Sequence, residues 1–226
     1  MSDSLFPRFG RDYAAGDVLF REGEAGDVMF VIQAGAVRIS KQVAGEEKVL
    51  AVLGPGEFLG EMAILNGKPR TATATVVEPA RCLLIEAKTL ESMVARNTEI
   101  AVRLIKKLAK RLDSADTLVE ILMHRDPKAR VMLALSRHAD AFGEQTPDGI
   151  RVRTTAEELA REVDVDVSVA HEVMARLRRL RLATEETPES AAERGSSLAS
   201  IIVADVARLQ DFVEFLEMPQ KFGGEA

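Results

Sequence analysis

The sequence predicts an α+β chain, rich in strands over its first third and helical afterwards. Three observations carry this. Short apolar runs broken by glycine fill Gly16 to Ile85. A regular apolar stripe runs from Ile105 to Leu122. Asp126-Pro127 and Thr155-Ala156-Glu157-Glu158 are helix-opening signatures.

The strand candidates are Val28 to Ile32, Val37 to Ser40, Val49 to Leu53, Thr73 to Val77 and Cys82 to Ile85. Their close spacing suggests a sandwich or barrel. Lys88 to Asn97 reads as a short helix, and a long one follows to about His124. Its residues Ile105, Leu108, Leu112, Ala115, Val119 and Leu122 alternate by three and four positions, the a/d pattern of a two-helix seam. The stripe therefore favours pairing with a second copy, against packing on the chain's own strands. Asp126 caps a helix that runs to about Phe142 and stops at Gly143. Glu144 to Gly149 reads as a polar loop and Ile150 to Arg153 as a strand. Thr155 opens a helix, and a turn at Val163 to Asp166 leads into another, Val167 to Arg181. Leu182 to Thr184 and Ser200 to Val203 read as strands, and Val206 to Glu217 as a last helix.

Composition narrows the function classes. The 226 residues carry a formal charge of −6, and the acidity sits in the second part: 14 Lys/Arg against 19 Asp/Glu in residues 125–226, but 16 against 17 before. No apolar run is long enough for a membrane span, and the N-terminus lacks a secretion-signal pattern, so a cytoplasmic address is expected. The single cysteine, Cys82, cannot hold an iron–sulfur cluster and reads as a buried small hydrophobe. His124, His138 and His171 lie outside the strand-rich part, which argues against haem there; His138 and His171 read as helix-surface residues. No nucleophile, base and orienting group fall into a set, so no enzyme, metal site or cofactor is expected.

The segment from Gly54 to Ala72 carries the chemistry. Gly60 lets backbone approach a ligand closely. Glu61 to Leu65 can form one helical turn whose free N–H groups suit an anion. Arg70 offers a forked cation for phosphate oxygens, with the Thr71 hydroxyl beside it. Glu61 would repel bare phosphate but accepts from sugar hydroxyls.

Phe58-x-Gly60-Glu61-Met62-Ala63-Ile64-Leu65, then Pro69-Arg70-Thr71-Ala72, resembles the phosphate-binding cassette of cyclic-nucleotide-binding domains. Gly16, Gly23, Asp27, Met29 to Ile32 and Gly35 match the same pattern, so the resemblance covers roughly residues 10–124. It implies a β-roll of the double-stranded β-helix or jelly-roll type. Glu61 would bind the ribose hydroxyl, Arg70 the cyclic phosphate, and the backbone of Gly60, Glu61, Met62 and Ala63 would complete the phosphate site. Thr71 would face phosphate or base. The long helix would cover the pocket, with Asp116 and Thr117 near the base. Asp116 could match two adjacent guanine donors, which keeps cyclic GMP open; cyclic AMP is what the resemblance favours.

Thr155-Ala156-Glu157-Glu158-Leu159-Ala160-x-x-Val163-x-Val165, then Ala170-x-x-Val173-Met174-x-x-Leu177, resembles the winged helix-turn-helix of the cyclic-AMP receptor protein and FNR (Crp/Fnr) family of bacterial transcription regulators. The implied recognition helix starts at Val167. Members often carry an Arg-Glu pair and a further Arg near its start; here Val167, Ser168 and Glu172 stand there. Ser168, His171, Arg176 and Arg179 are the remaining candidates for DNA contact. The candidate wing, Glu185 to Ala199, holds four Glu and one Arg.

The resulting expectation is a nucleotide-binding β-roll over residues 1–98, a dimerisation helix over 99–124 and a winged helix over 125–226. The function it implies is a homodimeric, cyclic-nucleotide-responsive transcription regulator. The alternative is a nucleotide-binding signalling adaptor whose altered winged helix binds protein rather than DNA.

Overall fold

A computed structural model describes residues 9–186 and 198–217. The chain divides into two compact units, residues 9–109 and residues 110–186 with 199–217.

The first unit is an antiparallel β-structure of β1 (Gly10–Tyr13), β2 (Val18–Phe20), β3 (Val28–Val43), β4 (Glu46–Leu53), β5 (Phe58–Leu59) and β6 (Thr73–Glu86). The order is β1-β6-β3-β4, with β2 also pairing β6 and β5 pairing β3. Two expectations need correction. Val28 to Ile32 and Val37 to Ser40 belong to one strand, β3, and Thr73 to Val77 and Cys82 to Ile85 to another, β6. Gly35 explains why. It sits at φ +81°, and a Cβ there would run into the backbone of Pro79 and Ala80. The β3–β6 register shifts repeatedly between Ile32 and Val37, so the glycine bends the pair instead of ending it.

Met29, Ile32, Val37 and Val76 are fully buried in this unit, and Cys82 with them. α1 (Glu61–Asn66) is the expected helical turn, and α2 (Ala87–Arg96) and α3 (Thr98–Met123) follow β6. Leu104 and Leu108, early in α3, pack on Met29, Phe58, Ile85 and Leu90. Burial of a leucine side chain contributes about 1.5–3 kcal/mol when complete. The start of α3 is thereby fastened to the β-structure.

In the second unit, α4 (Pro127–Phe142) opens on Asp126, whose carboxylate accepts from the Lys128 N–H at 3.0 Å. α5 (Ala156–Glu162) opens on a full capping box: Thr155 accepts from the Glu158 N–H, and Glu158 from the Thr155 N–H. The turn to α6 (Val167–Arg179) passes through Asp164 at φ +53°. α6 stops two residues short of the expected Arg181. Arg181 takes the left-handed conformation at φ +56°, and the N–H groups of Arg181 and Leu182 donate to the carbonyls of Arg178 and Leu177. That is a Schellman closure with arginine where glycine is usual.

The sheet of this unit has the order β7-β8-β10-β9, built from β7 (Glu144–Thr146), β8 (Gly149–Val152), β9 (Ala183–Glu186) and β10 (Ser200–Val203). The expected loop at Glu144 to Gly149 therefore contains a strand. Polar residues gave no alternation there, yet Glu144 and Gln145 pair with Arg151 and Ile150 across a hairpin. β9 begins at Ala183 and runs to Glu186 where Leu182 to Thr184 was expected, because Leu182 is used in closing α6. Of the candidate wing, residues 187–197 lie outside the described residues. α7 (Val206–Glu217) buries Leu209 and Val213 in a core shared with Ile121, Leu135, Leu159, Leu177 and Ile201.

His138 is not a surface residue. It is 7% exposed, and its Nε2 lies 2.6 Å from Glu162, which also pairs with Arg137. The second half of α4 is buried on every side from Ala134 to Ala139, so periodicity no longer marks an outer face.

Candidate functional site

The cradle is organised around Arg70, only 5% exposed. Its Nη1 donates to the Gly60 carbonyl and its Nη2 to the Val28 carbonyl, both at 2.8 Å. The guanidinium lies 4.2 Å from the centroid of the Phe20 ring. Gly26 and Gly60 leave the space it occupies: a Cβ on Gly60 would stand 2.6 Å from Nη1, and one on Gly26 would overlap the guanidinium. Burial lowers the Arg70 pKa, and the carboxylates of Asp27, Glu24 and Glu61 oppose that shift. Two of its five N–H groups are committed to backbone, and Nε is buried with no hydrogen-bond partner. A buried orphan donor on a cation fits an anion, such as a phosphate, as the missing acceptor.

Gly60 has φ +79° and leads into α1, whose first residue, Glu61, is 4% exposed. Ala63 is buried, while Met62 is 46% exposed. The Thr71 hydroxyl lies 3.7 Å from the Met62 sulfur, and Lys41 donates to the Thr71 carbonyl. The fold thus brings Gly60, Glu61, Met62, Ala63, Arg70 and Thr71 into one unit. Asp116 and Thr117 belong to the other. Asp116 is exposed, and the Thr117 hydroxyl donates to the Asp113 carbonyl at 2.8 Å.

Sequence reasoning missed Phe20, the Val28 carbonyl and the role of Gly26. Gly26 has no left-handed φ, so its glycine is explained by space and not by a turn. Nothing local in the sequence distinguishes the two cases.

Residues 10–97 match the family model "Cyclic nucleotide-binding domain". A CRP-like cAMP-activated global transcriptional regulator of Mycobacterium tuberculosis is 32% identical over 73% of this chain and 75% of its own. The chain belongs to the CRP/FNR family of transcriptional regulators. The cyclic AMP receptor protein of Thermus thermophilus is 34% identical over 58% of this chain and 61% of its own. Among solved structures, a CooA mutant from Carboxydothermus hydrogenoformans has a TM-score of 0.68 at 16% identity, covering 93% of this chain and 90% of its own, a likeness of fold.

In this CRP/FNR chain the outer face of α6 is already occupied by internal partners. The Ser168 hydroxyl donates to Asp166 at 2.5 Å. His171 lies 2.9 Å from Glu157, and Glu172 pairs with Lys128 at 2.6 Å. Arg176 stands over the Phe212 ring at 5.0 Å, and Arg179 is exposed. Of the seam residues, Leu108 is half-buried on the β-structure and Ala115 is exposed. Ile105, Leu112, Val119 and Leu122 are 64%, 62%, 54% and 45% exposed, an unusual outlay of large apolar side chains for a surface.

Proposed function

We propose that the cradle binds cyclic AMP and that its occupancy governs DNA binding by α6 in a cytoplasmic homodimer. The observation that carries this is the buried Arg70, held by two carbonyls with Nε still lacking an acceptor. In this reading the cyclic phosphate meets the remaining guanidinium donors and the N–H groups of Gly60 to Ala63. Glu61 accepts from the ribose hydroxyl, Thr71 stands beside the phosphate or base, and Asp116 and Thr117 meet the base. The names of the Mycobacterium and Thermus relatives favour cyclic AMP over cyclic GMP.

The exposed stripe Ile105, Leu112, Ala115, Val119 and Leu122, with Leu108 at its edge, joins two copies. Ser168, His171, Arg176 and Arg179 supply the DNA contacts. Family membership supports DNA over protein as the partner of α6. A nucleotide shifts the regulator by binding one arrangement of the dimer better than another.

Calorimetry with cyclic AMP and cyclic GMP tests the site. Glu61→Gln should weaken binding about tenfold or more, and Arg70→Ala should abolish it, with circular dichroism checking that both fold. Unchanged affinity in a folded Arg70→Ala protein would overturn the assignment. Selection of bound fragments from sheared genomic DNA, with and without nucleotide, tests the output. A two-fold symmetric site enriched only with nucleotide is the expected result.

A further inference from the structure

A cavity of about 280 Å³ lies within the C-terminal unit, bounded by Lys110 and Asp113 of α3, Ser136, Arg137 and Asp140 of α4, and Gln210 of α7. Two of its lining side chains are buried and incompletely bonded. Ser136 is 3% exposed and Arg137 8% exposed. Ser136 Oγ and Arg137 Nε have no hydrogen-bond partner. Arg137 is otherwise fully engaged: Nη1 donates to Ser114 Oγ at 2.7 Å, and Nη2 to Glu162. A buried hydroxyl and a buried N–H left without acceptors at one cavity lower stability unless something fills them.

The charges around the cavity select the occupant. Lys110 brings a cation, and Arg137 Nε and Ser136 Oγ two spare donors. Asp113 and Asp140 bring carboxylates, the latter accepting from Gln210 at 3.3 Å. A plain anion would be repelled by the two aspartates. A plain cation would leave Ser136 and Arg137 unsatisfied. A small zwitterion meets both: its carboxylate takes the Ser136 and Arg137 donors, and its ammonium faces the aspartates.

We propose that this cavity binds a free α-amino acid, a second input separate from the nucleotide cradle and not dependent on that reading. Its position suits an input. At about 100° per residue, the α3 positions 110, 114 and 117 lie on the side of the helix opposite Leu112, Ala115 and Val119. A second copy seated on the apolar stripe leaves the cavity open. An occupant would bridge α3 to α4, the helix that opens the winged-helix unit.

The test uses the full chain and the twenty proteinogenic amino acids, one at a time, by thermal shift and then calorimetry. At least one should bind, with one site per chain. Ser136→Ala removes only the unpartnered hydroxyl; it should raise the melting temperature of the free protein and weaken the amino acid at least about tenfold. Arg70→Ala should leave that affinity unchanged, and cyclic AMP should not compete. The proposal fails if no amino acid shifts the melt at about 10 mM. It fails equally if Ser136→Ala binds as well as the parent, or if cyclic AMP displaces the amino acid.

Discussion

Replacing Gly26 by alanine places a methyl group in the space of the Arg70 guanidinium, about 44 positions further along the chain and in a different loop. The backbone at Gly26 accepts a side chain, so the strain falls on Arg70 alone. Arg70 must swing outward, and it then gives up its bonds to the Gly60 and Val28 carbonyls and its seat on Phe20. Hydrogen bonds from a charged donor contribute about 1.5–3 kcal/mol each, but an expelled guanidinium regains water, so the net loss is about 2–3 kcal/mol for the pair. The lower entropy of the unfolded alanine chain returns about 0.4–1 kcal/mol. The variant should therefore remain folded, destabilised by about 1–3 kcal/mol in urea denaturation. Nucleotide affinity should fall by about a hundredfold in calorimetry, since the phosphate loses its aligned cation. Wild-type affinity in Gly26→Ala would refute the reasoning, because it would mean that the position of Arg70 in the cage is irrelevant to binding.

Three further outcomes follow from local chemistry. Asp164→Gly relieves a left-handed non-glycine residue at φ +53° and should raise the urea midpoint, a gain of about 0.5–1 kcal/mol. Cys82 is fully buried, and burial pushes its thiol up to about 11, so it should ignore a thiol reagent at neutral pH and react only after unfolding. The carboxyl of Glu157 is held down to about 2 by the Thr155 side chain first, then by the backbone N–H and His171. A lowered carboxylate stabilises above its ordinary value near 4.5, and that support is lost as the pH falls towards about 2. Glu157→Gln should thus narrow the stability difference between pH 5 and pH 3, modestly because the side chain is 47% exposed.

What the sequence made legible was local. Gly60, Glu61 and Arg70 sit within eleven positions, and the caps at Asp126 and Thr155 act on N–H groups two or three residues away. The cage of Arg70 was not legible, because Phe20, Gly26 and the Val28 carbonyl reach it only through the pairing of distant strands. The continuity of β3 through Gly35 was hidden for a related reason: a glycine that ends a strand and one that bends it look alike until Pro79 lies opposite. His138 escaped because a helix buried all round carries no stripe to read. The strand β7 escaped because its stability comes from the ladder to β8 and the Glu144–Arg153 ion pair at 3.1 Å, neither of which is encoded in three polar residues.

The internal pairing on α6 bears on discrimination. A chromosome confronts any regulator with an immense excess of wrong sequence, all of it carrying the same backbone charge. A helix that meets this polyanion with open cations is captured everywhere. Here Glu172 already answers Lys128, and Glu157 answers His171. Each must be released before a phosphate or base can take its place. Only a site whose base edges repay that exchange would hold the protein, so background retention falls further than correct binding does. Weak attraction to DNA in general then becomes a means of finding one operator among many.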